Sequence, residues 1–288
     1  MLECADMNEI IAITNQKGGV GKTTTAYNLA AALSRYNRRI LLIDMDPQGN
    51  CSQALGIDPS ICKKTTSELL LGNCDLKHAI RKTNFENVFL IPSNLTLAMV
   101  ESNLLASQGE APLTILKGCL EQKEAGLFDF IIIDCPPSLG FLSLNALNAA
   151  KSIIVPVQCE YFALDALAQL LSSVASVQRS SNPSLSIMGL VMTMFDPRTK
   201  LSTEIAQEVR SNFKDRVFTT VIPRNISIPE AIANGLPVNQ YKPNSAGSLS
   251  YAALAREVLE YAEKNEKNWF ISLSWKISGS RYRLGNRA

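Results

Sequence analysis

Two lysines enclose a run of glycines near the start of this 288-residue chain: Asn15-Gln16-Lys17-Gly18-Gly19-Val20-Gly21-Lys22-Thr23-Thr24. The run follows an apolar segment, Ile10 to Thr14, and leads into the helix-like stretch TTAYNLAAALSR. Glycines between a strand and a helix let successive backbone N–H groups converge on phosphate oxygens, and the positive end of the helix favours the same anion. In such a loop Lys22 neutralises the β and γ phosphates of a nucleotide and the Thr23 hydroxyl sits on Mg2+. Gly18, Gly19, Val20, Gly21 and Thr24 complete the cradle. The pattern departs from the ordinary G-x-x-x-x-G-K-[ST] loop at two places. Gln16 takes the first glycine position, and a second lysine, Lys17, stands five residues before Lys22.

Three carboxylates are placed to join this loop. Asp44 and Asp46 follow a second apolar segment, Arg39 to Ile43, and Asp134 ends the most hydrophobic one, FIIID. The carboxyl ends of parallel strands are where doubly wound sheets put their ligands. Asp134 therefore occupies the position of a carboxylate that binds Mg2+ directly or through water. Cys135 follows it within Cys135-Pro136-Pro137-Ser138, but no base partner is in sight, so it reads as a small packing residue rather than a nucleophile.

The elements that must position these groups follow from hydrophobic patterning. Short apolar runs at 10–14, 39–43, 88–91, 130–133, 152–157, 187–192 and 217–222 alternate with longer amphipathic stretches at 23–35, 164–177, 201–213 and 248–262. Consecutive apolar residues suit parallel strands covered on both faces, and the intervening segments are long enough for crossover helices. The expected fold is α/β: a doubly wound, mostly parallel sheet flanked by helices, forming one domain over residues 1–263. A tail, 264–288, comes after it. Its apolar residues Trp269, Ile271, Leu273, Trp275 and Ile277 recur every second position, which favours an edge strand or partner-binding strand over a membrane-binding amphipathic helix, with a terminal extension as the plain alternative.

Composition narrows the chemistry. A single histidine, His78, argues against His-based zinc sites and a Ser/His/Asp triad, and seven cysteines without a C-x-x-C pair point to a reduced, cytoplasmic setting. No apolar run approaches the roughly 18 residues of a membrane span. The net charge of +2 conceals a division: residues 1–263 carry 22 basic and 25 acidic side chains, a net of −3, whereas 264–288 carry 6 and 1, a net of +5.

KGGVGKTT resembles the deviant Walker A signature of the ParA/MinD superfamily of P-loop ATPases, and LLIDMDPQGN narrows the resemblance to ParA/Soj partition ATPases; IIIDCPPSLG, MTMFD and VIPRN extend it from about Ile10 to Ala262. The resemblance implies ATP and Mg2+ as ligands and a homodimer that sandwiches two ATP molecules. It makes Lys17 a cation acting in trans on the partner's nucleotide, as an arginine finger does. Like-charge repulsion supports that role, because two lysines on one tight loop cannot easily clamp one phosphate. It also implies that Asp46 positions or activates the attacking water, that Asp44 supports the magnesium site, and that Pro223 and Asn225 contact adenine.

The same resemblance implies non-specific binding of duplex DNA in the ATP state, release by hydrolysis that a ParB-like protein stimulates, and a cytoplasmic, nucleoid-associated location. Arg198, Lys200 and Arg224 are candidates for the basic DNA face, whereas Ser227 stands where relatives carry a further arginine. The tail offers more cations and aromatic residues, suited to nucleic acid or to a membrane surface. A MinD-like, membrane-associated ATPase is the alternative, and the tail's period of two weighs against it. A metal-cluster reductase would need cysteines such as Cys119 and Cys135, but Cys135 directly follows Asp134, unlike that family's spacing.

Overall fold

A computed structural model describes residues 8–107, 113–160 and 163–281. Eight strands form one sheet: β1 (Glu9–Ile13), β2 (Ile40–Asp44), β3 (Arg81–Lys82), β4 (Val88–Ile91), β5 (Phe130–Asp134), β6 (Ser152–Gln158), β7 (Ser186–Phe195) and β8 (Val217–Pro223). Their order is β3-β4-β2-β5-β1-β6-β7-β8, and only the two-residue β3 runs antiparallel to its neighbour. Seven of the eight are expected from their apolar runs; β3 is too short to leave a period.

The helices are α1 (Lys22–Ser34), α2 (Asn50–Ala54), α3 (Thr66–Leu70), α4 (Leu76–Ala79), α5 (Thr96–Ser107), α6 (Ile115–Leu120), α7 (Phe141–Ala149), α8 (Ala163–Ser180), α9 (Lys200–Phe213), α10 (Ser227–Ala233), α11 (Val238–Tyr241) and α12 (Ala246–Arg281). They cover both faces of the sheet. Ile10, Ala12, Leu41, Ile43, Ile131 and Ile133 pack into one core with α7, α8 and α9, whereas Ile11, Ile13, Ile40, Leu42, Phe130 and Ile132 pack into the other with α1 and α12. The alternation within each strand therefore sorts apolar residues between two cores rather than between core and water, as a sheet buried on both faces requires.

Register carries the functional consequence. In the pairing of β1 with β5, Ile13 lies opposite Asp134, and in the pairing of β2 with β5, Asp44 lies opposite Asp134. Three central strands thus end level, so the loop after β1 and the acids of β2 and β5 meet at one carboxyl edge. The chain leaves β1 toward β2 on one side and later returns to β6 on the other, which makes this edge the switch point of the sheet.

The strand expected in the tail does not form. The backbone continues α12 as a helix to Arg281, so the boundary between 263 and 264 falls inside an element; 282–288, with Arg283 and Arg287, lie outside the described residues. Two physical reasons account for the difference. Tyr251, Leu254, Ala255 and Val258 bury one stripe of α12, and extending a formed helix needs no new nucleus. The nearby sheet edge is also closed, because the Glu257 carboxylate accepts from the backbone N–H groups of Thr219 and Thr220, both at 2.8 Å.

A left-handed glycine sets the turn after β2. Gly49 has φ 65° and caps α2, and a Cβ there would lie 2.8 Å from the backbone oxygen of Ser93. Gly49→Ala is expected to lower the unfolding free energy by about 1–3 kcal/mol, since both strain and a backbone clash oppose it; urea unfolding followed by circular dichroism reads the change.

Candidate active site

The loop between β1 and α1 is held at three points. Asn15 Nδ2 donates to the Pro156 carbonyl of β6 at 2.7 Å, and the Lys17 N–H donates to Asn15 Oδ1 at 3.0 Å. Beyond the glycines, Thr193 Oγ1 of β7 donates to the Val20 carbonyl at 2.8 Å, a contact spanning 173 residues. Gly18 and Gly19 are exposed between these anchors, leaving their backbone open to a ligand. Gly21 (φ 88°) is the left-handed N-cap of α1, so the helix starts at Lys22 and aims its positive end into the loop.

The two lysines have separate partners. Lys22 is buried, and its Nζ donates to the Lys17 carbonyl at 3.0 Å. Burial lowers its pKa, and the charge of Asp134 works against that shift. The Lys17 ammonium points elsewhere, to Glu160 Oε2 at 2.8 Å. Glu160 follows β6 in sequence, 143 residues from Lys17. Nothing in the local motif announces it; the readable signal is an acid just past an apolar strand that ends at the switch point.

Asp134 is fully buried, and neither carboxylate oxygen has a hydrogen-bond partner among the described residues. Burial and then the neighbouring Asp44 push its pKa well above the usual carboxylate range, against the opposing influence of the Thr23 hydroxyl and of Lys22. An uncompensated carboxylate at the edge of a phosphate-type loop suits a divalent cation. The donor set fits Mg2+ in particular. A carboxylate and a hydroxyl are hard oxygen donors, and Mg2+ commonly takes one or two protein oxygens with water and phosphate completing its shell. Asp134 and Thr23 would hold the ion.

Asp44 is already occupied. Its Oδ1 accepts from the Asp46 N–H at 3.2 Å and its Oδ2 from the N–H and hydroxyl of Ser52 at 3.0 and 2.8 Å, while burial pushes its pKa up to about 7. It thus braces the turn that carries Asp46, and both of its oxygens are engaged by protein donors. Asp46 is buried, and its Oδ1 accepts from the Gln48 N–H at 2.9 Å. Ser52 Oγ also receives the Ser93 N–H at 3.2 Å, and Thr66 Oγ1 at the start of α3 donates to the Asp44 carbonyl at 2.7 Å, so both contacts support the end of β2 and the turn after it. Cys135 is buried, and burial pushes its thiol far up, which withholds the thiolate a nucleophile or cluster ligand needs.

The remaining predicted residues line the same edge of the sheet, further out. Pro223 ends β8, three strands from β1, and Asn225 lies two residues past it, its Oδ1 accepting from the Ser227 N–H at 3.1 Å. Met194, at φ 51°, and register shifts between β7 and β8 bring Arg224 beside Asp196, with the Arg224 N–H donating to the Phe195 carbonyl at 2.9 Å. Arg198 grips Asp196 with two bonds of 2.9 and 2.7 Å, which holds that carboxyl down at about 2. Lys200 pairs with Glu204 at 3.5 Å. Among the described residues, Arg224 has no carboxylate within ion-pair distance and is the least neutralised of the three. Ser227 is 2% exposed, so that position is a packing site here rather than a gap in a basic surface.

Asp134→Asn is expected to raise the stability of the ligand-free protein at pH 7 by about 1–3 kcal/mol and to abolish the gain in Tm from Mg2+ with ATP. The pH dependence has a defined sign. Folded-state pKa values raised above the unfolded value near 3.8 mean that the native state holds protons the unfolded chain has released. Stability is therefore expected to fall as pH rises from 5 to 8, with a shallower slope in Asp134→Asn; thermal melts across that range test both.

A family model described as an AAA domain matches residues 8–187. The chain is 46% identical over 252 residues to the sporulation initiation inhibitor protein Soj of Bacillus subtilis, covering 88% of this chain and 98% of that protein. It is 44% identical over 253 residues to the chromosome-partitioning ATPase Soj of Treponema pallidum (88% and 98%). It is 45% identical over 251 residues to the chromosome partitioning protein ParA of Caulobacter vibrioides (87% and 93%). Among solved structures, cobyrinic acid a,c-diamide synthase of Mycobacterium smegmatis, with a bound ATP analogue and magnesium, aligns with a TM-score of 0.78 at 37% identity, over 90% of this chain and 97% of that one. The septum site-determining protein MinD of Pyrococcus horikoshii, complexed with Mg-ADP, aligns with a TM-score of 0.72 at 30% identity (87% and 96%). With the two-lysine loop, the level acids of β2 and β5 and this similarity along most of its length, the chain belongs to the Soj/ParA family of P-loop ATPases.

Proposed function

We propose that this protein is a chromosome- or plasmid-partitioning ATPase that closes as a dimer around two ATP molecules, binds duplex DNA without sequence preference in that state, and is released when a ParB-like partner stimulates hydrolysis. The observation that carries the reading is the division of labour between the lysines. Lys22, Thr23 and Asp134 supply a complete single-subunit site for a Mg2+-bound triphosphate, whereas the Lys17 ammonium lies on Glu160. A second cation that its own cradle does not use is available to a neighbouring copy.

In this reading the loop N–H groups and the N-terminus of α1 hold the phosphates, and Lys22 leaves the Lys17 carbonyl for the β and γ phosphates. Mg2+ neutralises charge on the phosphate oxygens when bound. Asp46, fixed by the brace from Asp44, orients the attacking water. Lys17 of the opposite subunit stabilises charge that develops on the transferring group. Pro223 and Asn225 flank the adenine. Hydrolysis removes the group that joins the subunits, so DNA affinity follows nucleotide state. Arg224, with Arg198 and Lys200, forms the DNA face, displayed twice in the dimer.

One observation bears on a second reading, a MinD-like positioning ATPase at a membrane: α12 continues as a helix beyond residue 263, as that reading needs, although apolar residues two apart fall on two sides of a helix. Among the described residues no helix is long and apolar enough to cross a membrane. Sedimentation with anionic liposomes and ATP, without DNA, separates the two readings.

Asp46→Ala is expected to bind ATP, fail to hydrolyse it and elute as a dimer in light scattering; a monomer with ATP would refute the sandwich. Duplex DNA binding is expected with ATP and to be lost with ADP. Its salt dependence should shrink by about one unit of log–log slope for each phosphate contact removed. Arg224→Ala is expected to reduce that slope more than Arg198→Ala, because Arg198 is already paired with Asp196.

A further inference from the structure

We infer that Glu160 is a positioning residue for Lys17, holding its ammonium within the subunit and so setting the concentration at which two ATP-bound copies close. The inference rests on the reading of Lys17 as the cation that acts on a partner's nucleotide. The geometry gives Lys17 two different kinds of restraint. Its backbone is fixed from both directions, by its own N–H on Asn15 Oδ1 and by Lys22 Nζ on its carbonyl. Among the described residues its side chain is fixed by one bond, to Glu160 Oε2 at 2.8 Å, in a pair whose side chains are 31% and 48% exposed.

Glu160 is itself placed with care. Its N–H donates to the Gln158 carbonyl at 2.8 Å, and its Oε1 accepts from Gln158 Nε2, so the carboxylate is turned toward the loop by the end of β6. The same strand receives Asn15 at the Pro156 carbonyl. β6 therefore holds both the backbone before Lys17 and the carboxylate that takes its charge.

A partly exposed pair of this kind is weak and screened by salt, so it yields to a stronger anion. The triphosphate of a second subunit, with several negative charges, is such an anion. When Lys17 moves to it, Glu160 is left facing water. Every closure of the dimer thus has to break two Lys17–Glu160 pairs, one in each subunit, and the pair subtracts from dimer affinity without entering the chemistry.

Two measurements on the full chain test this. In nucleotide-free protein, the acylation rate of Lys17 by a water-soluble amine reagent, read by mass spectrometry, is expected to rise at least about twofold in Glu160→Gln, because an amine bonded to a carboxylate is shielded. An unchanged rate would overturn the inference whatever the dimer does. With ATP, analytical ultracentrifugation of Glu160→Gln is expected to show dimers at a protein concentration about three- to tenfold lower than wild type. The gap should close at high salt and be absent when Glu160→Gln is placed in a Lys17→Ala background. Weaker dimers in Glu160→Gln would mean that Glu160 contacts the partner, and would also overturn the inference. A faster acylation rate in a protein whose wild type never dimerises with ATP would sustain the Lys17–Glu160 restraint and sink the sandwich reading instead.

Discussion

A carboxyl group buried at the end of an apolar strand, with no hydrogen bond to either oxygen among the described residues, is the condition around which this molecule is organised. Desolvating a charge without a partner is among the most costly arrangements in a folded protein, so burial raises the pKa of Asp134 and favours its protonated form until a cation arrives, while the over-determined sheet keeps the group in place. Five consecutive buried residues on β5 pair in register with both β1 and β2, and a one-residue slip would send each side chain into the wrong core. The apolar sheet thus supplies the rigidity, and the unpaired carboxylate stores an affinity for positive charge at one point on its edge.

The surrounding groups relate to that point in graded fashion. Lys22 is close enough for opposite charges to matter, yet its hydrogen bond goes to a backbone carbonyl. Asp44, next to Asp134 in the pairing of strands, would add a second uncompensated charge were it not bonded by Ser52 and the Asp46 N–H. One acid is satisfied so that the other need not be. The turn after β2 inherits its shape from this arrangement, because the bonds that satisfy Asp44 also fix where Asp46 and α2 sit.

The legible part of the sequence is local. The glycine loop, the acids at strand ends and the doubly buried strands each occupy a few consecutive positions, and their chemistry follows from spacing alone. α7 is not legible, because FLSLNALNA is buried on nearly every side and has no polar face to reveal a helical period. The tail misleads for the converse reason: an alternation over nine residues looks like a strand, but the packed stretch from 246 onward imposes a helix on the residues after it. Glu160 and Thr193 lie out of reach for a third reason. Each meets the loop across more than 140 residues of chain, and only the strand order β5-β1-β6-β7 brings them there.

The clamp of Glu257 on the amides of Thr219 and Thr220 has a consequence for assembly. An exposed edge strand invites another strand to join it, and chains of this type would otherwise be able to add sheet to sheet without limit. On one side those donors are consumed by a helix of the same chain, and on the other the sheet ends in a two-residue antiparallel strand too short to template anything. Lateral growth into a continuous β-ribbon is opposed at both borders, by the capped amides on one side and by the short strand on the other.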